Sequence, residues 1–429
     1  MSVAAWPQTY SKADRQLAES MLVNADVDVR KHYYDRNFHG VDWPARIEET
    51  RKNIATAQSL SAAVSEIAAL LDSLHDSHTY LVLPPRTHIH NYGFQMEMVG
   101  NRCFVIRVRS GSDAEKKGLK PGDEILAINQ YPVSRKNFRR MVYILNVLQP
   151  ETSIRLTLAE VDGQSRQLDV LAKFQLSTVN QYFLHQGANT RGRDAAVENH
   201  LRRPRYFEKG KELLIVKLPA FEFSASEVDN IVGKMRAHTG VVLDLRGNPG
   251  GYEDTLLRLL DGLFQGDLKI FDRITRDSTK PVSLPSGHRE VFTGHLAVLI
   301  DSESASASEL FARVVQVERR GFIIGDRSSG LVMEAKLYRH EMAVDSPVGY
   351  AVCVTNADLM MADGKSLEHV GVEPDVLALP TGQDLANRRD PALAKAAALV
   401  GGHLSAEEAG QILPLEESEQ FQTTLSLND

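Results

Sequence analysis

The chain is poor in cysteine: Cys103 and Cys353 are the only two among 429 residues, and they lie far apart in sequence. Each sits between apolar neighbours, in "RCFVI" and "AVCVT", so two buried free thiols are the plain reading and one disulfide the alternative. Long apolar runs are missing as well. None approaches the roughly 20 residues of a membrane-spanning helix. The first residues, "MSVAAWPQTYSKADRQ", lack the apolar core of a secretory signal, which leaves a cytoplasmic chain or one cut after its signal. Excess positive charge is also absent. Lys and Arg number 49 against 56 Asp and Glu, a net charge of -7, which argues against a nucleic-acid partner. What remains is an ordinary soluble composition, 43% hydrophobic and 24% charged, in a chain long enough for more than one core. No internal repeat divides it.

Residues from about 12 to 75 read as helical. In "SLSAAVSEIAALLDSL", Leu60, Ala63, Ile67, Leu70, Leu71 and Leu74 recur at helical spacing, an amphipathic stripe for an N-terminal helical bundle over residues 1–86. Two prolines in "VLPPRTH" end that pattern. Residues 87–173 then alternate strand-like pieces with turns. "YGFQMEM" and "CFVIRV" precede "GSDAEKKGLKPGDEILAINQYPV", which reads as a short helix ending at Gly118, a turn at "KPGD" and a further strand. This stretch resembles a PDZ domain. The resemblance implies a sheet edge to which a peptide adds as a strand, with its terminal carboxylate on the backbone amides of a glycine-containing loop. Tyr92, Gly93 and Phe94 of "YGF" are the counterpart of that loop.

Residues 174–380 read as an α/β core, in which "ELLIVKL", "GVVLDL", "HLAVLI", "GFIIG" and "YAVCVT" alternate with helical patterns such as "SEVDNIVGKMRAH". Near its start, "HQGANTRGRDAAVENHLRRPRYFEKGK" is polar and arginine-rich. It reads as a loop or lid, with Arg202, Arg203 and Arg205 either on a solvated surface or, less simply, meeting a peptide carboxylate. Residues 381–429 turn helical and then polar. The expected class is multidomain α+β.

Two stretches of the core could carry chemistry. "LIDSESASASELFARVVQV" places Ser304, Ser306 and Ser308 between an apolar strand and an amphipathic helix. Ser306 and Glu309 have the spacing of a capping box, and a serine at a strand-to-helix turn is also where a nucleophile gains from free amides and the helix dipole. Local spacing favours the cap and does not decide between the two readings. "VVLDLRGNPGGYED" ends a buried strand at Asp244 and Arg246 and continues into adjacent glycines, which let backbone amides approach a ligand as in an oxyanion hole, or simply turn the chain. His75 and His78 at i, i+3 could share a metal, although no third ligand is evident. Glu373 and Asp375 of "GVEPD" read as turn-closing residues.

Taken together, "DLRGNPGG", "SESASASELFA" and "GFIIGDRSSG" resemble the C-terminal-processing (tail-specific) serine peptidases and the related tricorn core proteases, which join a PDZ domain to a crotonase/ClpP-like α/β protease core. The resemblance implies a serine peptidase with Ser306 as nucleophile, and an oxyanion hole from the Ala307 amide and Gly250 or Gly251. One departure follows. Tail-specific members use a lysine in a "TFGKG"-like segment; the matching segment here is "RSSGLVM", with Leu331 at the lysine position and Lys336 out of register. A leucine takes no proton, so either the chain is a non-catalytic binding member or another base serves. The tricorn-like branch implies His78, preceded by Ser77 in "SLHDSHTYLVLPP", and Glu368 in "SLEHVGVEPDV". The implied substrates are peptides or unfolded C-terminal segments. No cofactor or metal is implied, and a homo-oligomer is left open.

Overall fold

In a computed structural model of the chain, residues 10–83, 88–159, 165–176, 203–284, 290–344 and 346–412 are described. Three helices open it: α1 (Lys12–His32), α2 (Trp43–Thr56) and α3 (Leu60–Asp72). Each begins on a side-chain cap, from Ser11, Asp42 and Ser59 respectively, which satisfies amides that a first helical turn leaves unpaired. The stripe read from α3 is buried at Ala63, Ile67, Leu70 and Leu71. It closes on Tyr33 and Trp43, and also on Tyr350, Val352 and Val354 from much later in the chain. The helical bundle therefore shares its core with the later α/β region. After α3 the chain turns at His75 (φ 54°) and enters Tyr80–Val82, which pairs antiparallel with Ala351–Cys353. This strand lies within the first expected unit, residues 1–86, yet belongs to a sheet of the core.

The PDZ-like stretch forms an antiparallel sheet in the order Phe94–Val99, Arg102–Val108, Glu124–Ile128, Ser153–Ala159 and Ser165–Leu171. The short helices Asp113–Lys116 and Phe138–Tyr143 accompany it, around a core of Val105, Ile125, Ile154, Leu156, Leu158 and Val170. Among the described residues Phe94–Val99 is an edge strand, with no strand paired on the side away from Arg102–Val108. Cys103 is buried here and Cys353 in the other sheet, and no disulfide joins them.

The core holds a six-stranded sheet ordered Arg205–Lys209, Leu213–Lys217, Gly240–Asp244, His295–Ile300, Phe322–Gly325 and Val376–Leu377, parallel after its first, antiparallel pair. The unbroken apolar runs follow from burial on both faces. Leu214, Val216, Val241, Leu243, Leu296 and Val298 face the helices Ala225–Arg236, Glu253–Asp261 and Ala307–Val317, whereas Leu213, Ile215, Val242, Ala297 and Leu299 face Ala392, Leu393, Ala396 and Ala397. The stretch after Pro380 thus supplies Pro391–Leu399 as the cover of the second face.

Three sequence readings change. "YAVCVT" lies not in the parallel sheet but in Ser346–Met361, the long strand of a second, antiparallel sheet. Arg205, read as part of a loop or lid, starts an edge strand; Arg203 precedes it, and Arg202 with residues 177–201 lies outside the described residues. His75 and His78 do not share a helix face, because α3 ends at Asp72. Among the described residues no group of three His, Cys, Asp or Glu is placed to hold a metal ion. No helix among them is long and apolar enough to cross a membrane.

Candidate active site

The three serines of the strand-to-helix turn divide by what they touch. Ser304 and Ser308 are fully buried. Ser304 Oγ takes the Asp301 N–H (3.0 Å) and lies 2.9 Å from the Leu245 carbonyl oxygen; Ser308 Oγ donates to the Asn248 carbonyl oxygen at 3.0 Å. Both fasten this turn to the loop after Gly240–Asp244. Ser306 is partly exposed and sits at φ 54°, ψ -119°, a conformation a non-glycine residue keeps only where its surroundings impose it. Its hydroxyl makes no capping hydrogen bond; the Glu309 amide goes instead to the Ser306 carbonyl oxygen at 2.9 Å. The other half of the capping box is present, since the Glu309 carboxylate accepts from the Ser306 N–H at 3.1 Å. Cap position and exposed hydroxyl therefore coexist in one residue.

The glycine loop is held from both ends. Arg246 reaches Asp244 (2.8 Å) on its own strand and Asp390 (2.8 Å) at the start of Pro391–Leu399. Burial pushes Asp244 up, but Arg246 and Lys217 outweigh it and hold this carboxyl well below the usual carboxylate range. Asn248, fully buried, gives its side-chain amide to the Leu218 carbonyl oxygen (2.8 Å) and takes the Gly250 N–H on Oδ1 (2.9 Å), while its backbone oxygen takes the Ala305 N–H (3.0 Å). Composition alone did not single out Asn248, although an amide side chain beside two glycines is a signal for such a tie. Gly250 has φ 106°, and a Cβ there would lie 2.7 Å from Ser306 Cβ and 3.0 Å from the Ala307 nitrogen. The two stretches are thus in contact through the one residue type that fits. Of the two glycines expected as an oxyanion donor, Gly250 has its amide occupied by Asn248. The amides of Gly251 and Ala307 make no hydrogen bond among the described residues.

A second cluster assembles from opposite ends of the chain. Glu368 accepts from the Ser77 N–H (2.7 Å), the Ser77 hydroxyl (3.0 Å) and the Val332 N–H (2.9 Å). Ser77 Oγ also lies 2.6 Å from His78 Nδ1. With its one hydrogen given to Glu368, that oxygen can only accept from the ring, so Nδ1 carries the proton and Nε2 keeps a lone pair. Burial lowers the His78 imidazole, Asp76 opposes and Arg139 adds to the fall, to about 4, so the ring is neutral near pH 7. Burial also pushes Glu368 up, against His369 and the Val332 and Ser77 hydrogen bonds. This cluster meets the serine turn through adjacent peptides: the Leu331 carbonyl oxygen takes the Ser306 N–H at 3.0 Å, and the next amide, Val332, binds Glu368. Leu331 takes part through its backbone. Among the described residues no hydrogen bond joins the His78 ring to Ser306 Oγ. Asp375, read as closing a local turn, instead accepts from the Ile323 N–H (2.8 Å) and from the Gln316 side chain (2.8 Å), which ties its loop to a strand and a helix far away in sequence.

The expected carboxylate loop of the PDZ domain is less open. Tyr92 is buried, with its hydroxyl on the Glu151 carbonyl oxygen (2.9 Å), and the Gly93 N–H already donates to Asn91 Oδ1 (2.8 Å). Phe94 begins the edge strand. Near the far end of that strand the Met98 carbonyl oxygen takes a hydrogen bond from Ser302 Oγ (2.6 Å), so the edge runs up to the serine turn.

Residues 212–378 match Peptidase family S41 and residues 82–159 match the PDZ domain family. The chain is 25% identical over 376 residues to the chloroplastic carboxyl-terminal-processing peptidase 3 of Arabidopsis thaliana, covering 83% of this chain and 68% of the relative. It is 24% identical over 426 residues to a tricorn protease homolog of Streptomyces coelicolor, covering 92% of this chain but only 32% of the relative. Among solved structures, mature CPAF complexed with lactacystin superposes with a TM-score of 0.62 at 13% identity, over 87% of this chain and 96% of that one, which bears on the fold alone. A stretch that matches Peptidase family S41 and one that matches the PDZ domain family are thus joined in one polypeptide, and the chain is a serine-type peptidase.

Proposed function

We propose that this peptidase works by acyl transfer on Ser306, with His78 as general base and acid, Ser77 and Glu368 orienting the ring, and the Gly251 and Ala307 amides receiving the oxyanion. Ser306 Oγ attacks the scissile carbonyl and gives its proton to His78 Nε2, which passes it to the leaving amine; water then releases the acyl group by the same path. Glu368, acting through Ser77, stabilises the imidazolium that forms. The observation that carries this reading is the run from Ser306 through Leu331 and Val332 to Glu368, Ser77 and His78, in which one hydroxyl fixes the ring's tautomer. Catalysis requires Nε2 to come within about 3 Å of Ser306 Oγ when substrate is bound.

The same reading assigns the chain to the tricorn-like branch and takes the core as crotonase/ClpP-like, supported by its parallel sheet with helices on both faces. Substrates are peptides or unfolded C-terminal segments. A peptide added antiparallel to Phe94–Val99, with its carboxylate at Gly93, would run toward Ser302 and the serine turn, so the PDZ domain selects a tail and delivers it. The test is hydrolysis of unstructured peptides by wild type and Ser306→Ala, with a fluorophosphonate probe alongside. Loss of several orders of magnitude in rate, and of labelling, is expected for Ser306→Ala; equal rates would dispose of the assignment.

A further inference from the structure

Glu309 is fully buried at the third position of the helix that follows Ser306. Its two oxygens take four hydrogen bonds. Oε2 accepts from the Ser306 N–H (3.1 Å) and the Leu331 N–H (2.9 Å); Oε1 accepts from the Gly330 N–H (2.7 Å) and the Ser328 hydroxyl (2.6 Å). A capping box needs only the first of these. The other three tie the start of the helix to Ser328–Leu331. The tie then continues in both directions: the Leu331 carbonyl oxygen returns to the Ser306 N–H, and the Val332 amide holds Glu368.

We propose that Glu309 is a positioning residue for this hydrolysis, holding the nucleophile's turn in register with the Gly330–Val332 segment that carries Glu368. The inference rests on Ser306 being the nucleophile. An ionised carboxylate can accept all four hydrogen bonds, and the helix N-terminus favours its charge. A proton on either oxygen would face a donor and break at least one of them. Burial pushes the Glu309 carboxyl up to about 7, against the pull of its four donors. Charged groups on the segments around it include Asp301 and Glu303 ahead of Ser306, Arg313 on the same helix, Asp326 and Arg327 ahead of Ser328, and Glu368 and His369 on the loop bonded to Val332. None of these seven makes a hydrogen bond with the Glu309 carboxylate among the described residues.

The test uses Glu309→Gln and Ser328→Ala in the full chain, with Ser306→Ala as reference and a peptide substrate. A glutamine turns an NH2 group toward N–H donors without changing size, so kcat should fall by about 100-fold with KM within about threefold. Wild-type kcat should decline as pH falls through about 7, and Glu309→Gln should lack that limb. Ser328→Ala removes a donor that favours the ionised form, so its limb should move to higher pH; this readout holds even if Glu309→Gln does not fold. Wild-type kcat with an unchanged limb in Glu309→Gln, or an unmoved limb in Ser328→Ala, would overturn the proposal. Full activity in Ser306→Ala would instead remove the nucleophile assignment on which it rests.

Discussion

Gly93 in the PDZ domain and Gly250–Gly251 in the core all turn the chain with positive φ, beside places where an anionic oxygen is expected. At the first turn the Gly93 amide is already taken by Asn91 Oδ1, and a Cβ on Gly93 would strike Ser112 Cβ at 2.4 Å. At the second, Asn248 takes the Gly250 amide in the same way, but the chain continues to a second glycine whose amide, like that of Ala307, makes no hydrogen bond among the described residues. An asparagine two residues before a glycine therefore shapes both turns. The difference is the extra residue. A core turn with two glycines can spend one amide on its own rigidity and keep the other for an oxyanion, whereas the PDZ turn has spent the one expected of it.

The comparison breaks first at Gly250. An alanine there meets both an unfavourable φ of 106° and contact with Ser306 Cβ at 2.7 Å. Displacing the Ser306 turn should, if Ser306 is the nucleophile as proposed, lower kcat by about 10²–10³-fold. The matching change, Gly93→Ala, strains only the PDZ turn and should leave kcat on short blocked peptides unchanged. Steady-state kinetics on such a peptide compare the two, and equal losses would mean that the turns are not functionally distinct.

A smaller effect comes from His78. Its folded imidazole lies near 4 rather than the usual 6.5, so folding favours the neutral ring. This contribution to stability is fully present above pH 6.5 and is lost as pH falls through about 4. Thermal unfolding of wild type and His78→Gln should therefore differ most above pH 6.5 and converge toward pH 4. A gap that widens on acidification would mean that the ring is charged in the folded protein.

How much of this was legible follows from how local each feature is. The capped helices, the PDZ strand–turn pattern and the "GNPGG" and "SASAS" turns each occupy a few neighbouring residues, and each forms where its spacing indicates. Ser77, His78 and Glu368 were nameable only through the resemblance, since 291 positions separate the partners of the Ser77–Glu368 hydrogen bond. Features decided by distant pairing were not legible. Nothing within "YAVCVT" indicates that Tyr80–Val82 and Met333–Val344 will pair with it, rather than the parallel strands its composition resembles. "PALAKAAAL" reads as helical, but that Ala392, Ala396 and Ala397 fill the second face of the sheet depends on strands far earlier in the chain. The capping role of Glu309 is visible from Ser306 alone, whereas its other three bonds come from residues 19 to 22 positions away.

The finest test of the comparison is Asn91→Ala, which removes the group that occupies the Gly93 amide. If that amide is a carboxylate donor held in reserve, freeing it should strengthen capture of a peptide tail by about one net hydrogen bond. KM for a peptide with a free C-terminus should then fall about threefold, with kcat unchanged. The same peptide with an amidated C-terminus should show no gain, because the charge that the turn would meet is gone. A rise in KM for both peptides would mean that Asn91 holds Gly93 at φ 77° and that the turn loses its shape without it. The PDZ turn would then resemble the Asn248 side of the core turn, as a brace for the backbone.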